Sequence, residues 1–297
     1  MHLHTLIFIL SVCLSSAAPA QDYGWWNDTH DWDGVSPWRS YLTLAPAYLG
    51  PNALPVPEVR NGRIRESAQL TVAGDVHFGT GDNTQNLYLE GYLPLFSDRV
   101  GLELTYVPLE HYRMTPATRD ERAARDFDGA GWASGDVYVS THVQLLRDYA
   151  RLPDLLLTIN LKTASGNKLS AARYTDTPGY FFDLSAGKTY TTGTGVRIRP
   201  HLMLGFYVWQ TFADNHYQND AFLYGLGTDL TFPRWTVTPA LGGYVGYLGE
   251  GDRPLVARLT LRSNRERRVD YFARLQYGVV DFPYTSIRAG LTWLYDR

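Results

Sequence analysis

The chain has 297 residues, a formal net charge of −3, and 44% hydrophobic against 19% charged residues. Near-neutral charge leaves no electrostatic footprint for nucleic acid, which is not expected as a partner. After residue 20 no apolar run approaches the roughly 20 residues of a membrane-crossing helix, so helical spans are excluded, whereas a sheet with one apolar and one polar face needs only this average composition.

At the start, Leu3 to Leu14 is a short apolar run followed by Ser15-Ser-Ala-Ala-Pro-Ala20. Ala18 and Ala20 are placed as a cleavage site requires, and residues 1–20 read as a secretory signal peptide. The single cysteine, Cys13, lies within it, so the mature chain has no disulfide or thiolate chemistry. Residues 21–64 read as an irregular Trp/Pro-rich leader or partial plug. Trp25, Trp26, Trp32 and Trp38 stand among Asp28, Asp31 and Asp33, and Pro46, Pro51, Pro55 and Pro57 forbid a regular paired strand. Asp31-Trp-Asp-Gly34 has half the pattern of a calcium loop. Thr29 would take the first ligand position and no Glu closes the loop, so no metal site is expected.

Residues 65–297 alternate persistently. Ala68, Leu70, Val72, Val76 and Phe78 alternate with Gln69, Thr71, Ala73, Asp75 and His77. Leu87, Leu89, Leu93 and Leu95 oppose Tyr88, Glu90 and Tyr92, and Val100, Leu102, Leu104 and Tyr106 oppose Glu103 and Thr105. The same pattern recurs over Val137–Val143 and Leu155–Leu161, and again in runs that begin near Tyr180, Val196, Ala221, Trp235, Leu255 and Val269. In the last run Ile287, Ala289, Leu291, Trp293 and Tyr295 share one face, and Arg288, Gly290 and Thr292 the other. About twelve such segments, with short polar turns at 97–99, 232–234 and near Ser263 and longer connections at 114–134 and 166–179, predict one architecture. It is an all-β, transmembrane antiparallel up-and-down β-barrel of about twelve strands in the outer membrane, the closed form in which every backbone group pairs. The short turns are expected on the periplasmic side. Abundant Tyr and Trp suit interfacial girdles.

In such a barrel the polar set lines the lumen. The first part contributes Asp75, His77, Glu90, Glu103, Asp136, His142, Asp154, Lys162 and Asp183, and the later part Arg197, Arg199, His201, Arg258, Arg262, Arg274 and Arg288. Closure sets a mainly acidic wall across from a mainly basic one. That arrangement either orients polar solutes in a pore or fills and seals the interior with ion pairs. Ser140 and His142 fall on the inward face and no G-x-S-x-G elbow is present, so no catalytic residue and no cofactor are expected. Arg173, Tyr174 and Asp176, in the 168–183 loop, either contact a solute or fold the loop over the mouth.

Two patterns carry a resemblance. Arg288, Gly290, Trp293 and Tyr295 resemble the signal by which outer-membrane barrels engage the barrel-assembly machinery. Gly135-Asp136 at one strand start, with Lys162 to Gly166 at a strand end, is similar to outer-membrane proteins of the phenol-degradation meta pathway. The resemblance implies a transporter-like barrel among outer-membrane lipids, passing a small-molecule solute.

Overall fold

The computed structural model describes residues 22–95, 98–264 and 268–295, so the expected signal peptide lies outside the described residues. Residues up to Ser36 and residues from Pro37 form two compact units. In the first, α1 (Gly24–Thr29) precedes a turn in which Asp33 accepts from the backbone amides of Val35 and Ser36, at 2.9 and 2.7 Å. The described residues hold no group of three or more metal-ligating side chains.

The second unit is a sheet closed on itself. Its strands are β1 (Ala68–Gly79), β2 (Asp82–Leu95), β3 (Val100–Met114), β4 (Ala130–Ala133), β5 (Tyr138–Leu146), β6 (Asp154–Lys162) and β7 (Gly179–Gly187). They continue with β8 (Tyr190–Thr191), β9 (Arg197–Ala213), β10 (His216–Thr231), β11 (Trp235–Gly246), β12 (Leu255–Ser263), β13 (Val269–Val280) and β14 (Tyr284–Tyr295). Short β4 and β8 only extend their neighbours; the other twelve pair antiparallel around the ring, which β1 closes against β14. Each strand finds its partner across a connection in sequence, so closure requires just one long-range pairing.

Alternation sorts the side chains as a lipid-facing barrel demands. Leu161, Leu226 and Leu275 point outward and are 58%, 59% and 47% exposed, while the inward neighbours Lys162 and Gln276 are buried. Apolar surface on this scale, wrapped around the unit, has hydrocarbon as its matching solvent.

One irregularity redirects side chains. Leu87 and Leu89 of β2 pair with Leu109 and Tyr106 of β3, so β3 carries one extra residue at Val107-Pro108. A proline donates no ladder hydrogen bond and is tolerated at such a bulge. The extra residue inverts the parity beyond it, and Glu110 and Tyr112 turn inward, fully buried.

The two barrel ends differ. The end of β2 and the start of β3, the turn 232–234, and the end of β12 and the start of β13 meet the start of β1 and the end of β14 at one rim, called here the turn end. The opposite rim, the loop end, carries 115–137 and 163–178 as well as tight turns such as 80–81 and 214–215. Loop 115–137 contains α2 (Pro116–Glu121), capped by Thr115, whose hydroxyl accepts from the Thr118 amide.

The lumen as candidate functional site

The Pro-rich segment before β1 threads the lumen. At the loop end the Gly50 amide donates to Ala172 O at 2.9 Å. Aromatic side chains of the wall then donate to its carbonyls: Trp209 Nε1 to Leu44 at 2.8 Å, Tyr284 to Leu49 at 3.1 Å, Tyr138 to Ala53 at 3.3 Å and Tyr244 to Leu54 at 2.9 Å. With four prolines the segment makes no ladder of its own, so wall side chains satisfy its buried carbonyls instead. Around it Tyr207, Trp209 and Tyr244 form a triangle of ring contacts at 5.1–5.5 Å, and Leu44, Leu49, Leu54 and Val56 are buried. An aromatic and aliphatic cluster thus occupies part of the loop-end lumen, where a polar lining was expected.

At the turn end the segment is anchored by Gln144. Its carboxamide accepts from the Ile64 amide at 2.7 Å and donates to Gly62 O at 2.9 Å. Gly62 has φ +81, and a Cβ there would sit 2.7 Å from the Gly187 amide nitrogen, so only glycine fits the close approach.

Between these anchors lie charges that complement the walls. Arg60 meets Glu103 at 2.7 Å, Arg65 meets Glu103 at 3.2 Å and also Glu90, and Arg63 meets Asp154 at 2.8 Å. Glu58 reaches the basic side, pairing with Arg274 and lying 3.8 Å from Arg258. Arg258 also donates to Val56 O and Pro57 O. The two walls are therefore bridged by a segment that offers cations to the acidic strands and a carboxylate to the basic ones.

The wall residues named from sequence take the following places. Asp75 and Arg288, opposite each other in register at the β1–β14 seam, form a two-pronged pair at 2.5 and 2.7 Å. His77 bridges Ser286 and Asn86. Asp136 pairs with Lys162 at 2.7 Å, both fully enclosed, and Asp154 with Arg199 at 2.8 Å. His142 lies 3.6 Å from Glu103 and contacts Thr158. Ser140 accepts from Asn160 at 2.7 Å and is not hydrogen-bonded to His142. Asp183 accepts from Ser185, and His201 is buried beside Arg199. Arg262 is half-buried, with its guanidinium 5.9 Å from the Phe272 ring. Arg197 shares the inward parity but lies exposed at the rim.

At the loop end a buried network ties the 163–178 loop to the barrel wall. Arg173, 0% exposed, descends from the 163–178 loop and donates to Asp82 at 2.6 Å, Glu110 at 2.8 Å and Thr84 at 2.8 Å. Arg122, from loop 115–137, adds bonds to Asp82 and to the Tyr284 hydroxyl. Burial opposes the Arg173 charge, but the Glu110 and Asp82 carboxylates prevail and its pKa is raised. Burial first, then Glu110, pushes the Tyr174 phenol well above its ordinary value, so it remains a donor to Glu110 at 2.8 Å. Asp176 pairs with Arg39. Of the alternatives for this loop, the structure has Arg173 and Tyr174 folded into the mouth.

Cavities of about 150 and 460 Å³ lie around the threaded segment. They adjoin, sharing Glu58, Arg60, Tyr88, Arg274 and Arg288 in their linings. The larger reaches toward the turn end, bounded by Thr231, Thr236, Thr260 and Arg262.

A closed barrel of twelve antiparallel strands, apolar outside and charged within, is an outer-membrane β-barrel. Among solved structures the chain is similar to the COG4313 outer membrane channel from Pseudomonas putida F1. The two are 13% identical with a TM-score of 0.56, over 81% of this chain and 100% of that one. It also aligns with the NanC porin (11% identity, TM-score 0.48, 75% of this chain and 98% of that one). A third alignment is with the KdgM porin (11% identity, TM-score 0.46, 76% and 99%). No protein-family model and no curated protein matches the sequence. At these identities the likeness is one of fold.

Proposed function

We propose that this protein is a passive outer-membrane channel for small molecules and not an enzyme, exported by its N-terminal signal and inserted through its last strand. Its loop end closes by the Arg173 network. The observation that carries this reading is the pair of adjoining, charge-lined cavities along the threaded segment. A structural scaffold needs no such space, and close-packed interiors rarely keep it. Passage then requires the 163–178 loop to swing out, or the segment to shift, with the lumen charges replacing part of a solute's hydration. Hydrolysis of lipid would need a nucleophile and base on the outer surface, whereas Ser140 and His142 are buried inside.

A sealed barrel is the second reading. It draws on the aromatic core and the buried Arg173 network at the loop end. Planar-bilayer recordings separate the two. The channel reading expects stepwise current, and replacing Arg258 and Arg274 by Ser is expected to lower anion preference, seen as a shift in reversal potential under a salt gradient. Absence of current in both proteins would leave the sealed barrel.

A further inference from the structure

The larger cavity holds one arginine that forms no ion pair among the described residues. Its lining includes six arginines against three carboxylates. Five of the arginines are engaged: Arg60, Arg63, Arg65, Arg274 and Arg288 each have an acidic partner. Arg262 has no acidic partner within 4.0 Å among the described residues. Its register neighbours are Thr236 on β11 and Phe272 on β13, and one inward step deeper Thr260 lies between Thr238 and Arg274. The guanidinium therefore faces the cavity with an aromatic ring on one side and hydroxyl groups on the other.

We propose that this chamber binds a small organic carboxylate at Arg262. A guanidinium fork matches a carboxylate with two parallel hydrogen bonds. The stoichiometry favours a monoanion: one cation without a direct ion pair is available, and Glu90 and Asp229 also line the chamber and would repel a dianion such as phosphate more strongly. Phe272, Ile64 and Leu156 supply apolar surface for the body of the molecule. The volume, about 460 Å³, is within the size range of small-molecule sites. The proposal rests on the channel reading for its physiological meaning, since it names the solute class, but it is tested without current.

The probe is butyrate, titrated by saturation-transfer NMR against the folded full-length protein in detergent micelles. Binding with a millimolar or tighter dissociation constant is expected, weakened at least tenfold by Arg262→Ser and unchanged by Arg197→Ser at the exposed rim. Should the serine variant not fold, Arg262→Gln, closer in size, carries the comparison. Butanol, which keeps the alkyl chain without the charge, should show no dependence on Arg262. No butyrate binding, equal binding by the Arg262 variants, or displacement by phosphate as effective as by propionate would each overturn the assignment. A barrel that conducts without binding butyrate loses this site and keeps the channel. One that binds butyrate at Arg262 without conducting keeps the site and loses the channel.

Discussion

Arg173→Ala is expected to destabilise the barrel by about 3–5 kcal/mol, the usual cost of removing one partner from a buried ion pair. The size follows from what is left behind. Asp82 and Glu110 are both buried, and each would lose a bond of 2.6–2.8 Å from a guanidinium that no water can replace without the loop moving. Arg122 would still reach Asp82, and Tyr174 and Asn52 would still reach Glu110, so the loss is partial. Urea unfolding of the protein in lipid vesicles measures it as a lower midpoint. The same substitution should raise single-channel current, because the loop that Arg173 pins over the mouth is freed. In a double-mutant cycle with Glu110→Gln, the combined loss should be clearly smaller than the sum of the single losses, since the neutral amide no longer demands a cation. An unchanged midpoint together with an unchanged current would mean that this network is not what holds the loop end shut.

The twelve strands were legible because period-two alternation is a local property, readable within one strand. The segments expected near Trp235, Leu255 and Val269 start at those residues, and those near Tyr180 and Val196 start one residue away. The β10 segment was expected near Ala221 but begins at His216. The β9–β10 hairpin runs past the apolar belt there, where nothing requires an apolar face. Glu110 was not singled out from the sequence, and the reason is physical. Continuing the parity of Leu102, Leu104 and Tyr106 turns Glu110 outward, and only the Val107-Pro108 bulge brings it in. Pro108 within an apolar run was the available signal. The aromatics misled differently: Tyr207, Trp209 and Tyr244 count toward the residues that suit membrane girdles, yet they pack inside around Leu44 and Leu54. The charge complementarity between Arg60, Arg63, Arg65 and Glu58 and the two walls has no local signature. It exists only once β1 and β14 have closed around the segment.

Leu275→Arg is expected to lower barrel stability by about 2–4 kcal/mol, the depth-dependent cost of a cation near the bilayer midplane on a barrel's lipid face. Leu275 lies at the middle of β13, half-exposed, with Leu259 and Ile287 as its partners on the adjoining strands. Leu275→Ala provides the decisive contrast. Beneath a second layer of protein a Leu→Ala change leaves a cavity and costs about 2–5 kcal/mol. Against lipid, a hydrocarbon tail occupies the vacated space, and the remaining loss is roughly the 0.2–1 kcal/mol of cross-strand contact. Urea unfolding in vesicles, followed by the gel-mobility difference between folded and boiled protein, should therefore show a large shift for arginine and a small one for alanine. Comparable large shifts for both would mean that Leu275 is covered by protein and not by lipid. The same experiment on Leu226, three strands away on β10, should give the same pair of values, because the belt is a property of the whole ring and not of one strand.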